Sequence, residues 1–142
     1  MNLRIGLVLV ALGLSALGCA SSDGDTPPNG TEQPLTRVDS RDGKLQLSVF
    51  TTPQPPTRGM ISARLIVTDR GSARAVDGLT LAVEPHMPSM GHGTATVPRV
   101  TPKGSGTYQV DDLDLFMAGR WELRIAITGG VADAAVVPLD VR

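Results

Sequence analysis

One short stretch, residues 85–93, holds most of the side chains that are suited to bind a metal ion. Both histidines of the chain, His86 and His92, lie in it, together with Met87 and Met90. Imidazole nitrogen and thioether sulfur form a borderline-to-soft donor set; thioethers suit Cu(I) and bind Zn²⁺, Mg²⁺ and Ca²⁺ poorly. These residue types therefore predict a copper site, with Cu(I) as the expected ion.

The residues between the donors favour a loop that turns back on itself. Prolines fix φ and restrict the residues before them, whereas glycines let the chain turn sharply. Such a loop would bring His86, Met90 and His92 close together. Met87 has the opposite strand parity to His86, so it is the weaker ligand if the segment stays extended. The prolines and glycines concerned are Pro85, Pro88, Gly91 and Gly93.

A methionine further along the chain completes the predicted set. Met117 stands just before an Ala-Gly turn, and in an antiparallel sandwich that turn can lie at the same end as the His-Met stretch. Met60, at the start of another apolar run, is a weaker candidate. The predicted metal ligands are therefore His86, Met87, Met90, His92 and Met117, and no catalytic residue is predicted.

Composition excludes several functional classes. Thirteen basic and fourteen acidic side chains nearly cancel, and no block of like charge stands out, so nothing suggests a nucleic-acid partner. The single cysteine, Cys19, excludes an intrachain disulfide as well as CxxC zinc and redox motifs. Nucleophile elbow, G-x-G-x-x-G and P-loop motifs are missing from the sequence, so we do not expect an enzyme.

The first residues resemble a bacterial export signal. Arg4 precedes an apolar run over 5–17 that is too short to span a bilayer, and the small residues before Cys19 resemble the lipobox of lipoproteins. We predict a lipoprotein signal peptide over 1–18 and a lipid anchor on Cys19; an ordinary signal peptide with an incidental cysteine is the alternative. The protein is then expected in the cell envelope, lipid-anchored on the periplasmic face or extracellular, and Ala20 favours the outer membrane.

Two segments follow the anchor. Residues 19–42 contain almost nothing apolar and cannot repay the entropy of ordering, so we predict a flexible linker there and a folded domain over 43–142. Within the domain, apolar residues recur with period two and no helical period is sustained. Seven short half-buried strands separated by turns predict an antiparallel β-sandwich. The strands are predicted around residues 45–49, 61–67, 79–83, 95–97, 108–115, 121–127 and 137–141.

Three motifs in order resemble the YtkA-like family and the related FixH-like proteins. They are Met87-Pro88-Ser89-Met90-Gly91-His92, then Gly106-x-Tyr108, then Leu115-Phe116-Met117-x-Gly119-x-Trp121-x-Leu123. The resemblance covers residues 43–142 and implies an exported or membrane-attached domain with an immunoglobulin-like β-sandwich. The expected partners are the membrane, through Cys19, and a protein that donates or accepts the metal.

Each predicted ligand also has a structural interpretation. Methionine is a flexible gap-filler in apolar cores, so Met87, Met90 and Met117 could plug the open end of the sandwich. His92 could simply hydrogen-bond a backbone carbonyl. The protein would then be an immunoglobulin-like interaction module of the cell envelope that binds protein or carbohydrate.

Overall fold

The computed structural model describes residues 32–142, and this part of the chain contains nine β-strands. The strands are β1 (Thr36–Asp39), β2 (Leu45–Thr52), β3 (Gly59–Asp69), β4 (Leu79–Met87), β5 (His92–Gly93), β6 (Arg99–Gly104), β7 (Thr107–Leu115), β8 (Gly119–Gly129) and β9 (Asp133–Val141). The predicted signal peptide and Cys19 lie outside the described residues. Within residues 32–142 there is no helix that is long and apolar enough to cross a membrane.

The strands form two antiparallel sheets. Sheet A has the order β1-β2-β3-β7-β6, and sheet B has the order β5-β4-β8-β9. Every strand pair within them is antiparallel. Their buried faces share one apolar core, so the prediction of an all-β sandwich is confirmed.

Alternation along the strands builds that core. In β8 the inward positions Trp121, Leu123 and Ile125 are buried, and the residues between them lie towards solvent. Tyr108 of β7, in sheet A, is also buried. Its hydroxyl accepts a hydrogen bond from the backbone N–H of Leu79, the first residue of β4 in sheet B, at 3.1 Å, and it donates one to the Val76 carbonyl, in the loop before β4, at 2.9 Å. Because both partners are backbone groups, this ring holds the entry to β4 against sheet A.

Two strands differ from the sequence-based expectation. β1 lies at Thr36–Asp39, inside the range predicted as linker, and pairs with Gln46 to Val49 of β2. Its alternation extends over only four residues, so the period-two signal is too short to identify it. The ordered sheet therefore begins before residue 43.

The predicted strand around 95–97 is replaced by two others. The chain forms the short β5 and then β6 at Arg99–Gly104, an edge strand that contains Pro102. Val97 lies in the connection between them and is 83% exposed. Ala95 and Val97 imitate the alternation of a strand, but the chain here runs outside both sheets.

One end of the sandwich collects the segments that carry the predicted ligands. β4 ends at Met87, and its antiparallel neighbour β8 begins at Gly119. β7 ends at Leu115, level with the beginning of β3. We call this the site end; it contains the hairpin loop 88–91, the turn 116–118 and the connection 53–58. The turns 40–44, 70–78 and 130–132 lie at the opposite end.

Candidate metal site

A tight hairpin between β4 and β5 places Met87 beside His92. The two residues are directly paired across the strands, and directly paired residues project their side chains to the same face of a sheet. The loop closes because the Met87 carbonyl accepts hydrogen bonds from the backbone N–H groups of Met90 at 3.1 Å and Gly91 at 3.0 Å. Gly91 has φ +71°, a conformation that favours glycine. The turn therefore fixes the register of β4 and β5 that pairs Met87 with His92.

His86 lies on the other face of sheet B. It pairs with Gly93 of β5 and with Glu122 of β8, and it belongs to the outward series of β4, whereas Met87 points into the core and is only 3% exposed. Adjacent residues of a strand project to opposite faces. The structure thus separates His86 from His92 and brings Met87 to His92, the reverse of the ranking expected from the sequence.

The turn 116–118 packs against the same corner. The Phe116 ring stacks on the imidazole of His92, with centroids 6.2 Å apart and an interplanar angle of 2°. Phe116 also meets Trp121 edge-on at 5.4 Å and 83°. The Trp121 indole Nε1–H donates to the Met117 carbonyl at 2.9 Å. A buried tryptophan therefore holds the turn that carries Met117, and the neighbour of Met117 contacts His92.

The buried thioether reaches this turn from the core side. A Cβ added to Gly119 would lie 3.3 Å from the Met87 methyl carbon Cε, so the end of the Met87 side chain is in contact distance of the backbone at Gly119. Gly119 has φ +129°, which disfavours any side chain there. Met87, His92 and the turn carrying Met117 consequently meet at one corner of the site end.

A hydrogen bond determines which imidazole nitrogen of His92 is free to bind a metal ion. Its Nδ1 lies 3.0 Å from the Gly93 carbonyl oxygen. A carbonyl only accepts, so in the neutral imidazole Nδ1 carries the proton and Nε2 keeps its lone pair. The imidazole is exposed, and Nε2 is therefore the nitrogen available to bind a metal ion.

The corner opens to solvent through apolar side chains. Met90 is 52% exposed, Phe116 44% and Met117 37%. Among residues 32–142, His, Cys, Asp and Glu form no group of three that is suited to hold a metal ion. Any metal bound at this corner would therefore rely on thioether sulfur, with one imidazole. Met60 lies on the outer face of sheet A, paired with Asp114.

Sequence reasoning missed Phe116. Its signal was its position: it immediately precedes Met117, in a chain with only two phenylalanines. An aromatic residue that remains 44% exposed at a turn is a candidate for contact with a functional group. The stacking on His92 depends, however, on the distance between two turns that are far apart in sequence.

Comparison with known proteins identifies the family. A family model described as YtkA-like matches residues 40–126, which is more than half of the chain. No curated protein and no solved structure matches the chain. The matched segment contains β2 to β7 and most of β8, including the hairpin with Met87 and His92 and the turn with Met117. The chain belongs to the YtkA-like family.

Proposed function

We propose that the site end binds copper as Cu(I), through Nε2 of His92 and the thioethers of Met87 and Met117, with Met90 as a further donor from the hairpin loop. The observation that carries the proposal is the direct pairing of Met87 with His92 at the corner where the turn 116–118 packs. His86 is left out because it projects from the opposite face of sheet B.

The donor chemistry favours Cu(I) over harder ions. Thioether sulfur with one imidazole nitrogen is a soft set, whereas Zn²⁺, Mg²⁺ and Ca²⁺ prefer thiolate, imidazole or oxygen ligands. The proposed donors range from buried Met87 to exposed Met90, so an ion held here remains accessible from solvent. That accessibility suits carriage or sequestration without chemical turnover, with transfer to or from a second protein.

The predicted location in the cell envelope agrees with the same proposal. A lipid anchor at Cys19 would hold the domain in the cell envelope, where copper is handled outside the cytoplasm. Soft donors presented at an open corner suit such an exported carrier. The copper site and the lipid anchor are separate parts of the proposal, because the ligands all lie within residues 87–117 and the anchor precedes the described residues.

A Cu(I) competition titration tests the proposal with a matched control. The domain is mixed with a colorimetric Cu(I) chelator of known affinity, and His92→Ala is compared with His86→Ala. Both variants delete one imidazole from neighbouring strands, but only His92 faces Met87. We expect His92→Ala to weaken binding at least about tenfold, equivalent to about 1.4 kcal/mol, and His86→Ala to retain the wild-type affinity.

The substitution Met87→Leu tests the metal-binding role of the sulfur atom separately from the packing of the side chain. Leucine conserves volume, so the free energy of unfolding should change by less than about 1.5 kcal/mol, whereas Cu(I) affinity should fall. Equal affinities of the wild type, His92→Ala and Met87→Leu would refute the copper proposal.

The exposed apolar side chains favour one alternative, an interaction module whose His-Met corner is structural. Phe116, Met90 and Met117 are large and accessible, as expected for residues at the centre of a protein interface. This function predicts that His92→Ala changes partner binding or thermal stability and that Cu(I) alters neither. The same titration therefore decides between the two.

A further inference from the structure

The methionine side chains of the domain differ sharply in their exposure to solvent. Among the four methionines of residues 32–142, Met60 is 59% exposed, Met90 52% and Met117 37%, whereas Met87 is only 3% exposed. An oxidant in solution therefore has access to three of the four thioethers, and oxidation of a sulfur atom requires such access. Two of the three, Met90 and Met117, belong to the proposed copper ligands.

The backbone around the two exposed ligands is fixed, while their side chains extend towards solvent. In the hairpin loop 88–91, the backbone N–H of Met90 donates to the Met87 carbonyl at 3.1 Å. In the turn 116–118, the Met117 carbonyl accepts a hydrogen bond from the Trp121 indole Nε1–H at 2.9 Å. Neither hydrogen bond involves a sulfur atom. A polar oxygen added to either thioether would therefore meet water, and the fold would tolerate it.

Met87 lies in different surroundings. It belongs to the apolar core, and its methyl carbon Cε lies 3.3 Å from the position that a Cβ on Gly119 would take. An oxygen on this sulfur would be buried among apolar groups at a cost in free energy, but burial also keeps the oxidant away. Met87 and the His92 imidazole paired with it therefore survive conditions that oxidise the other two ligands.

Oxidation by hydrogen peroxide changes the donor atom at the two exposed positions. The thioether sulfur attacks one peroxide oxygen and the O–O bond breaks. An S=O bond forms, so the sulfur is oxidised by two electrons, and the other peroxide oxygen takes up the proton of the transferred hydroxyl and leaves as water. A sulfoxide presents a hard oxygen where the thioether presented a soft sulfur. The proposed set of one nitrogen and three sulfur donors is then left with one nitrogen and one sulfur.

We propose that Met90 and Met117 are reversible oxidation sites: hydrogen peroxide converts both to methionine sulfoxide, and the domain then releases Cu(I) without unfolding. The inference rests on the proposed copper site and describes its regulation. Met60, on the outer face of sheet A, is oxidised too but has no part in the release. Methionine sulfoxide reductases, one for each sulfoxide epimer, restore the thioethers.

Peptide mapping during peroxide treatment tests the order of oxidation without metal. The full chain carries Cys19→Ser, because a free thiol would itself react with peroxide and bind Cu(I). Sulfoxide at each methionine is measured by mass spectrometry at successive times, with a chelator present. We expect Met90 and Met117 to be oxidised at least about tenfold faster than Met87, with an unchanged circular dichroism spectrum. Equal rates at the three positions, or unfolding once Met90 and Met117 are oxidised, would overturn the proposal.

A Cu(I) competition titration measures what the sulfoxides do. Untreated protein is compared with oxidised protein from which peroxide has been removed, and with oxidised protein that both reductases have reduced, with dithiothreitol as the thiol reductant removed afterwards. We expect the affinity to fall at least about tenfold on oxidation and to return after reduction. Unchanged affinity of the oxidised protein would overturn the proposal and leave the copper site standing. Untreated protein that binds no Cu(I) would refute the copper site itself, and this regulation with it.

Substitution by glutamine separates the two proposed sites from Met60. Glutamine has a similar length and carries a polar oxygen, so it imitates the sulfoxide without any oxidant. A chain with both Met90→Gln and Met117→Gln should lose as much Cu(I) affinity as the oxidised protein, whereas Met60→Gln should retain the wild-type affinity. Met60→Leu protein should still lose affinity on peroxide treatment. A double variant that binds as the wild type does, or a loss that requires Met60, would contradict the assignment.

Discussion

Replacing Tyr108 by phenylalanine removes a single oxygen from the interior. The Tyr108 hydroxyl bonds two backbone groups, the N–H of Leu79 at 3.1 Å and the carbonyl of Val76 at 2.9 Å. Phenylalanine retains the buried ring, so no cavity opens. The substitution therefore isolates the contribution of two hydrogen bonds that hold the connection before β4.

The expected loss follows from these two contacts. A typical intramolecular hydrogen bond contributes about 1 kcal/mol net, and a buried group left without a partner costs about 1–3 kcal/mol. Tyr108 and Leu79 are both buried, so water reaches the orphaned N–H poorly. We expect Tyr108→Phe to lower the free energy of unfolding by about 2–3 kcal/mol. For a domain of this size that corresponds to a decrease in Tm of roughly 8–20 °C.

Urea and thermal unfolding followed by circular dichroism measure the effect. Thr128→Val is the matched control, because it also deletes one hydroxyl, but from an exposed side chain whose bond to the Thr80 carbonyl is long, at 3.4 Å. The control should stay within about 0.5 kcal/mol of the wild type. A Tyr108→Phe protein that is as stable as the control would show that the hydroxyl does not fasten this loop.

Three further predictions concern other parts of the fold. The Asp69 carboxylate accepts hydrogen bonds from the Ser72 backbone N–H and hydroxyl, which hold the pKa of Asp69 below its ordinary value of 3.8. The stabilising effect of the ionised carboxylate is thus present above about pH 4 and is lost as the pH falls through the folded-state pKa. The Tm values of wild type and Asp69→Asn, measured from pH 7 to 3, should therefore converge, and a constant difference between them would contradict this. Gly106→Ala should destabilise by about 1–3 kcal/mol in urea unfolding, because φ is +69° and the new Cβ would lie 2.5 Å from the Val67 carbonyl oxygen; unchanged stability would show that the turn relaxes freely. Trp121→Phe should release the turn 116–118 and lower both the Tm and the Cu(I) affinity, whereas loss of Tm with full affinity would show that the turn position is irrelevant to binding.

The sandwich was predictable because its signals are local. Alternation in stretches such as 121–127 requires only that one face of a strand be buried, and the turns between the stretches are visible as glycine, proline and aspartate. β1 was not predictable, because four residues that alternate between half-buried and exposed resemble linker. The stretch 95–97 misled for the opposite reason: it alternates, yet it pairs with nothing.

The sequence by itself determined the class of fold, the family motifs and the presence of soft donors in residues 85–93. Only the tertiary structure decided which donors meet. Side-chain parity along β4 is a local property, but whether Met87 or His86 faces His92 depends on the register that the loop 88–91 imposes on β5. The contact between Phe116 and His92 likewise depends on how β7 and β8 pack against that hairpin. These are distances between segments remote in sequence, and no spacing pattern within one segment encodes them.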